Sequence, residues 1–87
     1  MILHLGGDEA VYSKDIVMIM DVQTAGQAPH TRRFLSQMEQ QGRMVLLDEG
    51  VKSYVVVAHE REDARVYASP ISAATLAKRC AERKIGL

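Results

Sequence analysis

The sequence predicts a small α+β protein, in which a small antiparallel sheet of about five or six short strands packs against two helices. Short β-branched runs recur along the chain, glycine-containing turns separate several of them, and two longer segments carry helix signals. With 87 residues, the chain has the size of one domain, so we expect residues 1–87 to form a single domain. Aromatic residues make up only 5% of the chain, which predicts an aliphatic core.

The N-terminal third is predicted to hold three strands. MILHLGG (residues 1–7) indicates a short strand that ends in a turn, and EAVYS (residues 9–13) indicates its partner across Gly6-Gly7-Asp8. KDIVMIMDV (residues 14–22) is rich in strand formers and bounded by charge, which favours a third strand. QTAGQAP (residues 23–29) has no periodicity and contains a glycine and a proline, which is typical of a loop.

The middle of the chain predicts one helix and three strands. HTRRFLSQMEQQG (residues 30–42) places Phe34, Leu35 and Met38 on one side and stops at a glycine, so it indicates the first helix. The next strands are predicted in RMVLLDEG (43–50) and KSYVVVAHE (52–60), joined by a hairpin-type turn at residues 48–50. ARVYAS (64–69) indicates one more strand after a polar connection.

The second helix is predicted to begin at Pro70, with Ser69 as its N-cap, because proline needs no amide partner in the first helical turn. Its end is basic, with four cations and one acid in residues 76–87. Positive charge there complements the helix dipole, although a solvated face or a nucleic-acid contact would have the same composition. The whole chain has a formal net charge of zero, so strong overall attraction to nucleic acid or to an anionic membrane is not expected.

Composition also limits the setting and the chemistry. Cys80 is the only cysteine, so no intramolecular disulfide can form, and we expect a cytoplasmic protein. No apolar run approaches the ~20 residues that span a bilayer. His4, His30 and His59 stand in no signature with a nucleophile and make no close ligand pairs, so the sequence predicts no enzyme, no metal site and no cofactor.

Four cations are candidates for contacts with an anionic partner. Arg32 and Arg33 stand at a predicted helix start, where free backbone amides also attract anions, or they are exposed arginines paired with carboxylates. Lys14 stands just before one predicted strand and Lys52 opens another, and both are isolated exposed cations unless assembly of several chains brings them together.

Several segments in order resemble the bacterial extracellular-matrix regulatory protein family RemA/RemB, and the RemB branch most. They are HLGGDEAVYSKDIVMIMD, RRFL, KSYVVV and VYASPISAATLAKR, and they extend along nearly the whole chain. The resemblance implies a small α+β protein that assembles into a ring-shaped homo-oligomer. It also implies a regulator of transcription that binds double-stranded DNA at extracellular matrix or biofilm genes.

The resemblance also implies where DNA would be contacted. In RemA-like proteins an arginine in the segment matching SKDIV and an arginine pair in the segment matching GVKS are associated with DNA binding. Here these positions are Asp15, Val51 and Lys52, so only Lys52 is a cation. A lysine acts as a point charge and not as a bidentate reader of bases. The DNA-contact candidates are therefore Lys14, Lys52, Arg32 and Arg33, and the alternative is an oligomeric scaffold or partner-binding module without DNA.

Overall fold

A computed structural model describes the backbone of residues 1–85 and the side chains of residues 1–81. The α+β class is confirmed, and the described residues form six strands and three α-helices where two helices were expected. The elements in chain order are β1 (Ile2–Gly6), β2 (Glu9–Tyr12), a short 3-10 helix (Ser13–Asp15), β3 (Ile16–Asp21), α1 (Val22–Gln27), α2 (Pro29–Gln40), β4 (Met44–Leu46), β5 (Ser53–Val57), β6 (Arg65–Ser69) and α3 (Ala73–Ile85).

The strands form two sheets and not one. β1 and β2 make a separate antiparallel hairpin, as the glycine turn predicts, and Gly6 and Gly7 there have φ values of 115° and 56°. The larger sheet has the order β3-β5-β6-β4, and β4 runs parallel to β6. The expected hairpin between β4 and β5 across residues 48–50 is therefore wrong, because β6 lies between these two strands.

The larger sheet buries both of its faces. On one face Val55 and Tyr67 pack with Leu3 and Leu5 of the hairpin and with Leu76 of α3. On the other face, Val56 and Val66 pack with Met38 of α2. Among the buried residues of the two clusters, one is aromatic, in agreement with the aliphatic core that the composition predicts.

Helix α1 occupies the segment that was expected to be a loop. The carboxylate of Asp21 accepts hydrogen bonds from the backbone amides of Gln23 at 3.0 Å and Thr24 at 3.2 Å, so it caps the helix. Ala25, within this helix, is buried. A helix of six residues is marginal by itself, so the cap and the packing stabilise it.

Helix α3 begins three residues later than predicted. Its cap is Ser72, whose hydroxyl oxygen accepts a hydrogen bond from the amide of Thr75 at 3.2 Å, while its carbonyl accepts from Leu76 at 3.0 Å. Ser69 is the last residue of β6 and not a helix cap. The side chains of Arg83 and Lys84, in the predicted basic end, lie outside the described residues.

Ser69 and Ser53 instead fasten the segment before α3 to the sheet. Both serines are fully buried and lie opposite each other on β6 and β5. The hydroxyl of Ser69 donates to the carbonyl of Leu5 and accepts from the amide of Ile71 at 3.0 Å. The hydroxyl of Ser53 donates to the carbonyl of Ile71 at 2.7 Å. The SPIS and KS segments of the sequence therefore meet in space and join the hairpin, the sheet and the start of α3.

Candidate nucleic-acid interface

Lys52 is an exposed cation on a fixed backbone. Its amide donates to the carbonyl of Ser69 at 2.8 Å, and its carbonyl accepts from the amide of Val22 at 3.1 Å. These bonds tie the residue to β6 on one side and to the start of α1 on the other. The preceding loop carries Asp48 and Glu49, both exposed, so the local charge around Lys52 is mixed.

Lys14 is also exposed, in the 3-10 helix before β3. Its Nζ atom lies 5.8 Å from the centroid of the Tyr12 ring, within the range of a cation–π contact. The adjacent Asp15 has a mostly buried side chain, and its Oδ2 lies 3.2 Å from Nδ1 of His59. At the position where the resemblance expects an arginine, this chain thus holds a carboxylate paired with a histidine.

Lys14 and Lys52 lie at opposite ends of the same pair of strands. Lys14 shortly precedes β3, Lys52 directly precedes β5, and these strands are antiparallel. With six residues in β3, the two lysines are about 20 Å apart. A single chain therefore does not combine them into one patch.

Arg32 and Arg33 differ in the contacts of their side chains. Nη1 of Arg32 donates to the carbonyl of Gly26 at 2.9 Å, at the C-terminal end of α1, where a cation offsets unpaired carbonyls. Arg32 and Lys52 therefore flank α1, on the order of 10 Å apart along a helix of this length. Arg33 is exposed in α2, and the described contacts give its side chain no partner.

A small polar cleft of about 180 Å³ lies beside Lys14 and includes Glu9, Arg65 and Tyr67 in its lining. Burial raises the pKa of Tyr67 above its ordinary value, and the charge of Glu9 and a hydrogen bond to it add to this, while Arg65 opposes it. In this hydrogen bond the protonated hydroxyl of Tyr67 is the donor and the carboxylate of Glu9 is the acceptor. The carboxylates at this end of the molecule weaken any attraction between Lys14 and a phosphate.

The structure also brings together three arginines that the sequence did not single out. Arg43, Arg61 and Arg65 line one cleft of about 590 Å³. Arg43 directly precedes β4 and Arg65 begins β6, which are parallel neighbours, so the strand order is the information that sequence reasoning lacked.

No feature of the part of the chain that the structure describes supports metal binding or a membrane-spanning helix. No group of three or more histidine, cysteine, aspartate or glutamate side chains is placed there to hold a metal ion. Cys80 is partly buried against the core cluster of Leu76. Among the described residues, no helix combines the length and the apolar character that crossing a bilayer requires.

Comparison with known proteins places the chain in one family. The model of the RemA-like family, described as extracellular matrix regulatory protein A-like, matches residues 2–80, which cover both sheets, α1, α2 and most of α3. A search of the curated proteins finds no match. The matched range includes all four candidate cations and the buried serines. The chain therefore belongs to the RemA-like family of extracellular matrix regulatory proteins.

Proposed function

We propose that this chain is a non-enzymatic, RemB-like regulator that forms a ring-shaped homo-oligomer and associates with duplex DNA at extracellular matrix or biofilm genes in the bacterial cytoplasm. Membership of the RemA-like family supports the regulatory role. The observation that favours DNA as the partner is Lys52, an exposed cation whose backbone is held by hydrogen bonds on both sides. The position corresponds to one that the family resemblance associates with DNA.

Assembly is needed because the cations of one chain are too dispersed to bind DNA well. Lys14 lies about 20 Å from Lys52, and carboxylates lie near both. Non-specific binding requires several phosphate contacts at once, since each contributes little and is screened by salt. Repetition of Lys52 and Arg32 around a ring provides these contacts without a strongly basic monomer.

An exposed apolar surface on β3 supports assembly. β3 is an edge strand, and a bulge leaves Val17 without a partner on β5. The side chains of Val17 and the adjacent Met18 are 63% and 51% exposed. They border an apolar groove of about 490 Å³ that continues to Phe34 of α2. An open strand edge beside a groove of this kind is unfavourable in a monomer and is normally covered.

A second candidate function is an oligomeric scaffold or partner-binding protein without DNA binding. The pair formed by Asp15 and His59 favours it, because a carboxylate at that position repels phosphate where the resemblance expects an arginine. This candidate shares the assembly and differs only in the role of Lys52.

The two candidates are separated by changing Lys52 in the assembled protein. We expect Lys52→Ala to weaken binding to a long duplex and to lower the slope of log K against log salt by about 0.9 for each phosphate contact that is lost. Lys52→Arg serves as the matched control and should retain binding, because the charge is kept. The measurement is a fluorescence anisotropy titration at several salt concentrations, with the assembled mass checked for each variant. Equal binding by Lys52→Ala and the wild type would contradict the role given to Lys52.

A further inference from the structure

The cleft of Arg43, Arg61 and Arg65 lies on the side of the sheet away from β3. Arg43 stands directly before β4, Arg65 begins β6, and Arg61 lies in the connection between β5 and β6. β4 is the other edge strand of the larger sheet. This surface is therefore distinct from the one that carries Val17 and Met18.

The strand register places two of these arginines side by side. β4 and β6 are parallel, with Met44 opposite Val66, and the amide of Val66 donates to the carbonyl of Arg43 at 2.9 Å. One residue earlier on each strand, Arg43 and Arg65 are therefore neighbours at about 5 Å between backbones. Neighbouring side chains in register point to the same face of the sheet, so the two positive charges repel each other. An anion between them offsets this repulsion.

An internal carboxylate already shows how an oxyanion binds there. Nη2 of Arg43 lies 2.8 Å from Oδ2 of Asp63, and the side chain of Asp63 is 77% exposed. An exposed ion pair of this kind is weak and exchanges readily with an external anion. Each guanidinium has five N–H donors, so the contacts of Arg43 with Asp63 and of Arg65 with Tyr67 leave most of the donors of the cleft available.

The arginine content indicates the class of ligand. Three arginines against Glu62 and Asp63 leave one net positive charge in the cleft. Guanidinium groups match the oxygens of a phosphoryl group in bidentate geometry, and a phosphoryl group carries more acceptor oxygens than a carboxylate. The cleft, at about 590 Å³, admits a ligand larger than a single ion.

We propose that Arg43, Arg61 and Arg65 form a phosphoryl-binding site, in which an external phosphoryl group displaces Asp63. The phosphoryl group comes either from the backbone of duplex DNA or from a free polyphosphate. Only the first source rests on the function proposed above. If DNA is the source, the site adds phosphate contacts on a second surface of each subunit, apart from Lys52.

The first experiment uses inorganic pyrophosphate with the full-length, assembled protein. Isothermal titration calorimetry at constant ionic strength should show binding by the wild type and at least about tenfold weaker binding by Arg61→Ala/Arg65→Ala, since several charge-assisted hydrogen bonds are lost. Asp63→Asn should bind more tightly than the wild type because it removes the competing carboxylate. Arg79→Ala on α3 is the matched control and should bind like the wild type.

A second titration uses duplex DNA with the same proteins. DNA is identified as the source if the double variant binds the duplex more weakly and with a lower slope of log K against log salt, while Arg79→Ala binds like the wild type. Binding of pyrophosphate without binding of DNA supports the site with a free polyphosphate and contradicts the function proposed above. If the wild type binds DNA but not pyrophosphate, and the double variant binds DNA equally well, the site is refuted while the proposed function stands. Circular dichroism checks that each variant is folded. If the double alanine variant is unfolded, Arg61→Gln/Arg65→Gln takes its place.

Discussion

Replacement of Ser69 by alanine tests the buried serine pair. The hydroxyl of Ser69 donates to the carbonyl of Leu5 and accepts from the amide of Ile71, and Ser69 itself is fully buried. Ser69→Ala removes both bonds and introduces no group that replaces them. The buried carbonyl of Leu5 would then cost about 1–3 kcal/mol, and the part-buried amide of Ile71 would cost about 1 kcal/mol, so the expected loss is about 2–4 kcal/mol.

The size of this loss distinguishes the observed role of Ser69 from that of a helix cap. A domain of this size has roughly 4–13 kcal/mol of stability, so Ser69→Ala removes a large part of it. The expected fall in thermal midpoint is about 10–25 °C. The matched control is Ser72→Ala, which removes the observed cap of α3 at a cost of about 1 kcal/mol. Both variants are compared with the wild type by circular dichroism during thermal and urea unfolding. A loss for Ser69→Ala that is no greater than the loss for Ser72→Ala would contradict the role given to Ser69.

Three further predictions concern other parts of the molecule. Gly6→Ala should lower the free energy of unfolding by about 2 kcal/mol or more, because the φ of Gly6 is 115° and a Cβ there would lie 2.8 Å from Cδ of Pro70. Gly26→Ala is the control: it has open space around it and should raise the free energy of unfolding slightly in the same urea titration. Burial raises the pKa of Tyr67 above its ordinary value of 10.0, so its contribution to stability is complete below about pH 10 and is lost as pH rises through the folded-state pKa. Tyr67→Phe should therefore remove the alkaline fall of the thermal midpoint in a plot against pH, and identical curves for the two proteins would contradict this prediction. Val17→Lys should reduce the assembled mass measured by native mass spectrometry, whereas an unchanged mass would show that the β3 edge lies outside the contact between subunits.

Local patterns in the sequence were sufficient for several elements. The glycine turn predicted the β1–β2 hairpin, and the spacing of Phe34, Leu35 and Met38 predicted α2, in which Met38 is buried and the other two pack partly against the same cluster. These features depend on residues close together in the chain. Their physical cause is therefore visible in short windows of sequence.

The two errors about helices come from contacts that hydrophobic periodicity does not show. Helix α1 contains a glycine and is only six residues long, so its stability comes from the Asp21 cap and the contact of Arg32 with Gly26. Ser69 precedes the observed cap by three residues and is followed by proline, so the local sequence has the pattern of a helix start. Only its hydrogen bond to Leu5 shows that Ser69 has a different role. Neither contact is apparent from periodicity.

The candidate site depends on strand pairing even more strongly. The exposure of Lys14 and Lys52 was predictable from their positions at the start of predicted strands, but their separation follows from the antiparallel pairing of β3 with β5. The proximity of Arg43 and Arg65 follows from the parallel pairing of β4 with β6. These arginines are 22 positions apart in the chain, so local patterns contain no signal for their contact.

The proposed function requires that an assembly of this chain bind duplex DNA through repeated phosphate contacts. The most direct test is a fluorescence anisotropy titration of the wild type with a long duplex over a range of salt concentrations, after its assembled mass has been confirmed. The proposed function predicts binding at low salt, with log K falling linearly as log salt rises. Absence of binding at low salt by the correctly assembled protein would contradict it.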